Sequence, residues 1–202
     1  MSITIGAALL AGGLSSRMGQ SKAELLLEGR TFTERIAAEL GGYPERLLST
    51  GSRAISVPGF LPVPDLHPGC GPVAGLEAVL SRCRSDALLV VPCDLPLFRA
   101  ELGHFLAGQL TGQYDAVIPT TRDGRLHPTC GVYCKSCLLA VEQNLAAGNF
   151  RLHGLLDKLR VRRVPLEGTE FDDGLLTNVN TPQAYTALQQ KLREGGSSLP
   201  GA

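Results

Sequence analysis

The chain has 202 residues, 44% of them hydrophobic, with 24 glycines, 13 prolines and six cysteines. Its 19 basic and 19 acidic side chains give a formal net charge of zero, which argues against a nucleic-acid partner that would need a basic excess or stripe. No run approaches the ~20 apolar residues of a membrane-spanning helix, so no membrane partner is expected, and the length suits one domain.

Taken in order, Ile3–Ala11 (ITIGAALLA) reads as a buried first strand, without the basic flank of a signal peptide. TFTERIAAEL predicts a helix, with Thr31 and Glu34 at capping-box spacing. RLLST reads as a short strand and GPVAGLEAVLSRC as a helix entered through glycine and proline. ALLVVP predicts a strongly apolar strand ending at Cys93–Asp94, followed by a helix over RAELGHFLAGQL. YDAVIP and PTCGVYC read as strands, KSCLLAVEQNLAAG as a helix, and Leu152–Leu159 as an amphipathic helix. VRRVPL predicts a late strand, and TPQAYTALQQKLREG a final helix with Pro182 in its first turn. The domain is placed at residues 1–193, and the polar residues 194–202 read as a disordered tail. Strands alternating with helices predict an α/β fold with a mostly parallel sheet covered on both faces. Ligands of such sheets bind at the carboxyl ends of the strands, which directs attention to the loops after Ala11, Thr50 and Pro92.

The first of these loops is glycine-rich. Leu10, Ala11, Gly12 and Gly13 leave the strand, and Arg17 and Lys22 follow within ten residues. Glycines let backbone N–H groups approach an anion, and the two cations suit a triphosphate. Neither the kinase-type P-loop nor the dinucleotide fingerprint is present. Asp94, just beyond an apolar strand, suits Mg²⁺, an ion that takes one or two carboxylates together with substrate phosphates. The alternative is an Asp capping the turn before Pro96. In PDLHPGCGPVAG, Asp65 precedes Gly69, Gly71 and Gly75, which permit close backbone contact with a base or ribose. Whether Asp65 meets a guanine edge or a ribose hydroxyl stays open. In LLTNVNTPQAY, Asn178 and Asn180 alternate on an extended segment before the last helix. Their amides face one side there, and the competing reading is a helix N-cap.

These motifs carry a resemblance. L-A-G-G-x-S-x-R-M-G-x-x-K, matched by Gly12, Gly13, Arg17, Gly19 and Lys22, is similar to the signature of the Rossmann-like nucleotidyltransferases. G-P-V-A-G after Asp65, the P-C-D-x-P step at Asp94, H-P-T-C-G-V-Y from His127, and N-x-N-T-P together resemble the molybdenum cofactor guanylyltransferases over Ile5–Tyr185. The resemblance implies a three-layer Rossmann-like fold. It implies GTP and molybdopterin (Mo-molybdopterin) as substrates and Mg²⁺ as cofactor. It assigns Lys22 and Arg17 to the triphosphate, Asp94 to the metal, Asp65 to the nucleoside, and Asn178 and Asn180 to the reacting phosphates or the acceptor. Spacing from Lys22 puts Thr50 where the family often has a nucleotide-binding Asn. The implied setting is cytoplasmic, with transient contact to other cofactor-biosynthesis proteins or recipient molybdoenzymes. The rival readings are a cytidylyl- or sugar-phosphate nucleotidylyltransferase and a non-catalytic nucleotide-binding module.

Cys70, Cys83, Cys93, Cys130, Cys134 and Cys137 read as reduced thiols. Cys130, Cys134 and Cys137 cluster in sequence but have no fourth ligand at metal spacing. His127 lies toward the expected acceptor side, and the remaining histidines read as surface or turn residues.

Overall fold

A computed structural model describes residues 3–13 and 24–194. Nearly continuous apolar strands belong at the centre of a sheet covered on both faces. β1 (Ile5–Leu10) and β6 (Ala87–Pro92) have that character and lie side by side in parallel. The remaining strands are β2 (Leu26–Leu27), β3 (Arg30–Thr31), β4 (Arg46–Gly51), β5 (Leu61–Pro64), β7 (Ala116–Thr120), β8 (Gly131–Cys134) and β9 (Val161–Pro165). Among the described residues, seven of the nine strands form one sheet in the order β5-β4-β1-β6-β8-β7-β9. It is mostly parallel, but β8 runs antiparallel to both of its neighbours.

Side-chain alternation sorts the core into two layers. Ala7, Leu9, Leu89 and Val91 face one side, where Ile36 of α1 (Phe32–Glu39) and Leu102 and Leu106 of α3 (Ala100–Gly108) cover them. Ala8, Leu10, Leu88 and Val90 face the other. There they meet α2 (Gly71–Arg82), α4 (Leu138–Ala146) and α5 (Leu152–Leu156). The capping box opens α1 as expected: Glu34 N–H donates to Thr31 Oγ1 at 3.1 Å, and Thr31 N–H donates to Glu34 Oε2 at 2.8 Å. The last helix, α6 (Pro182–Glu194), starts where Pro182 placed it and includes residue 194, so the chain is helical one residue further than the expected domain end. Residues 195–202 lie outside the described residues.

Three elements differ from expectation. β5 contains Pro62 and Pro64, residues that a strand tolerates at the edge of a sheet, and it is the edge strand. β2 and β3 form a small hairpin through Glu28 (φ 52°) and Gly29 (φ 80°), the left-handed pair of a tight primed turn. It packs through Leu25, Leu27 and Phe32 on Val179 and on Leu188 of α6. α5 ends at Leu156, three residues short of the expected helix.

The register aligns the ends of four strands. Leu10 pairs with Ser49 of β4 and with Pro92 of β6, and Gly51 pairs with Pro64 of β5. The four connections leaving β1, β4, β5 and β6 therefore emerge along one edge of the sheet.

Candidate nucleotide and acceptor site

A cavity of about 410 Å³ opens at this edge. Of the expected residues, Leu10, Gly12, Gly13, Asp65, Gly71, Gly75 and Asp94 line it. Ala11 is buried behind them, its N–H donating to Ser49 O at 2.9 Å. Arg17, Gly19 and Lys22 lie outside the described residues.

The loop leaving β1 is pressed against the loop leaving β4. A Cβ on Gly12 would stand 2.3 Å from Gly51 N, so only glycine lets the two backbones meet. That contact holds Gly12 in the cavity wall. Thr50 is not part of its lining: its side chain is buried and its hydroxyl donates to Val63 O at 3.4 Å, tying β4 to β5. Its neighbour Ser49 lines the cavity and donates to Asp65 Oδ1 at 3.2 Å. Alternation along β4 decides which of the two faces the ligand side, a parity that counting from Lys22 cannot see.

Asp65 leaves β5 half-buried, with its N–H donating to Gly51 O at 3.0 Å. Burial pushes its carboxyl above the ordinary range, and the nearby Glu77 adds to that. Hydrogen bonds from Ser49 and the Gly51 backbone pull the other way. Gly69 (φ 88°) and Gly71 (φ 68°) then turn the chain into α2 through left-handed conformations.

Asp94 stands past β6 and shares the cavity with Gly12 and Gly13. One of its oxygens accepts from Asn178 Nδ2 at 2.8 Å, and its backbone oxygen accepts from Val179 N at 2.9 Å. Asn178 and Asn180 line a second cavity, also about 410 Å³, with His127, Arg125, Asp123 and Asp173. The structure thus brings both amides to one side, as the alternation predicted. The cap of α6 is Thr181, whose Oγ1 accepts from Ala184 N at 3.1 Å, so the N-cap reading of the asparagines falls away.

His127 is buried, and its Nε2 has no hydrogen-bond partner among the described residues. Burial lowers its pKa, with Arg125 adding to the effect and Asp123 and Asp173 opposing it. Ser49, Arg125, Asp123 and Asp173 were not singled out from sequence. Only Ser49 had a legible signal, its place on the same strand face as Leu47 beneath α2.

The cysteine cluster does not form a site. Burial pushes the Cys130 and Cys137 thiols up to about 12, and Cys137 Sγ donates to Asp115 O at 3.1 Å. Among the described residues no three His, Cys, Asp or Glu side chains gather at metal-binding distance.

Comparison with known proteins follows the same lines. Residues 7–163 match the family model of the MobA-like NTP transferase domain. A relative from Carboxydothermus hydrogenoformans, named probable molybdenum cofactor guanylyltransferase, is 34% identical over 90% of this chain and 93% of its own. One from Clostridium perfringens strain SM101 with the same name is 36% identical over 92% of this chain and 96% of its own. The solved molybdopterin-guanine dinucleotide biosynthesis protein A of Archaeoglobus fulgidus has the same fold, with a TM-score of 0.79 at 23% identity over 95% of this chain and 100% of that one.

Proposed function

The chain belongs to the MobA-like NTP transferase family, and from that premise we propose that it transfers GMP from GTP to the terminal phosphate of molybdopterin, with or without bound molybdenum. An oxygen of the acceptor phosphate bonds to the α-phosphorus of GTP. The bond from that phosphorus to the β-bridging oxygen breaks, and pyrophosphate leaves with the electron pair. A phosphate monoester is largely ionised near neutral pH, with a second pKa of about 6, so no strong general base is needed. Alignment and charge stabilisation supply the catalysis.

The observation that carries this reading is the position of Asp94 between two cavities. It lines the one that holds the glycine loop, and it accepts from Asn178 of the other. A nucleotide in the first and an acceptor in the second meet at this carboxylate. The Gly12–Gly13 backbone, Arg17 and Lys22 receive the triphosphate, the two cations being assigned by their motif alone. Asp65 and Ser49 face the nucleoside, and Asn178 and Asn180 orient the acceptor.

The site fits a divalent ion of the Mg²⁺ kind. Asp94 is a half-buried carboxylate without a surrounding ligand cluster among the described residues, and Mg²⁺ takes one or two carboxylates and fills its sphere with phosphate oxygens and water. When bound, the ion offsets the negative charge on the α-phosphate and pyrophosphate. A cytoplasmic setting suits six cysteines that form no disulfide among the described residues.

Pyrophosphate release tests the proposal. Asp94→Ala should lose nearly all turnover while its melting temperature stays close to wild type, and a variant that keeps metal-dependent activity would remove Asp94 from the metal role. Competition between GTP and CTP tests the base, and a preference for CTP would overturn the guanylyl assignment.

A further inference from the structure

Glu77 is an unusual residue to find where it lies. It sits on the buried face of α2, two positions after Gly75, with 4% of its side chain exposed. Carboxylates are almost never so buried unless paired. Its partner is His67, whose Nδ1 lies 2.8 Å from Glu77 Oε2. An ionised carboxylate only accepts, so Nδ1 carries the hydrogen.

His67 itself is more than half exposed. It stands in the middle of the connection from β5 to α2, between Asp65 and Gly69, two residues that line the nucleotide cavity. Pro68 and the bond from Cys70 N to His67 O at 3.4 Å shape the middle of that connection, but its exit into α2 runs through two glycines. Gly69 and Gly71 turn it with positive φ, and glycine leaves the backbone more freedom than any other residue. The hydrogen bond from His67 ties the connection to the helix. Asp65 also feels the negative charge of Glu77, the side chain that His67 holds by a hydrogen bond.

We propose that His67 and Glu77 act as a latch that positions the Asp65–Gly71 wall of the cavity, and so tune recognition of the nucleoside and not of the phosphates. Neither side chain touches the substrate. Both are positioning residues that work through Asp65 and through the backbone at Gly69 and Gly71. The inference rests on the assignment of this cavity to a nucleotide.

Calorimetric titration of the full chain with GTP and, separately, with inorganic tripolyphosphate, each with Mg²⁺, tests it. Loss of a hydrogen bond to a charged group should weaken GTP binding in His67→Ala by about tenfold and leave tripolyphosphate binding unchanged. The double variant His67→Ala/Glu77→Leu removes the buried charge as well as the latch. It should show the same loss for GTP, which separates positioning from the damage done by an unpaired carboxylate. Glu77→Gln keeps an oxygen to accept from Nδ1 and should retain most of the affinity. Unchanged GTP affinity in the double variant overturns the latch, as does equal weakening of GTP and tripolyphosphate. A wild-type chain that binds no nucleoside triphosphate overturns the nucleotide assignment itself.

Discussion

Gly12→Ala and Gly13→Ala add the same methyl group to adjacent positions of one loop, and they should behave very differently. The new Cβ at residue 12 would lie 2.3 Å from Gly51 N and 2.6 Å from Gly51 Cα. Ordinary carbon contacts are roughly 3.5–4.0 Å. The neighbours are backbone atoms, so no rotamer change relieves the clash, and the exits of β1 and β4 must part by roughly 1 Å or more. Overpacking of this kind costs about 1–3 kcal/mol, or roughly 2–12 °C of melting temperature for a chain of this size. The displacement reaches the site because Gly51 O accepts the Asp65 N–H at 3.0 Å, and a misplacement of about 1 Å can cost ~10²-fold in turnover. Among the described residues nothing lies within 4 Å of a Cβ at Gly13, so Gly13→Ala should stay within about 0.5 kcal/mol of wild type. Thermal melting of the two variants, with pyrophosphate release measured alongside, decides the matter. Equal stability of the two would refute the claim that the loops touch at residues 12 and 51.

Two further predictions concern β4 and Asp65. Ser49→Ala removes the hydroxyl that holds Asp65 and should raise the KM for GTP, whereas Thr50→Val removes a buried bond to Val63 and should lower stability by ~1 kcal/mol without moving KM. The reverse pattern would return Thr50 to the ligand side. For Asp65, burial raises the folded-state pKa above the ordinary 3.8. Its stabilising contribution is therefore full below that ordinary value and is lost as pH rises through the raised one. Asp65→Asn should accordingly gain stability over wild type as pH goes from about 4 to 7, while binding GTP more weakly. A melting difference that stays constant with pH would contradict the argument.

The central strands were legible because burial on both faces leaves near-continuous apolar runs, as in β1 and β6. Asp94 was legible because a strand exit fixes a side chain at the mouth of a parallel sheet. β5 escaped notice because its prolines argue against a strand unless its place at the sheet edge is known. The reversed direction of β8 was also hidden, since alternation carries no direction. The connection from Thr120 to Gly131 does contain a clue: no helix fits in it, and parallel neighbours need a crossover of a dozen or more residues. Thr50 was favoured over Ser49 because spacing within a motif does not report which face of a strand a residue occupies.

The link between Asp94 and Asn178 spans 84 positions in sequence and could only come from the fold. Its cause is nonetheless local. Val179 is fully buried in the small cluster with Leu25, Phe32 and Leu188. An extended segment that turns its middle residue inward must turn both neighbours outward, so Asn178 and Asn180 face the second cavity because Val179 faces the core. The backbone bond from Val179 N to Asp94 O then locks this segment against the exit of β6. The spacing of the two amides is thus a consequence of one apolar residue between them. Replacing Val179 by a polar residue would release both asparagines and the brace on Asp94 together, coupling a core defect to the loss of one wall of the second cavity.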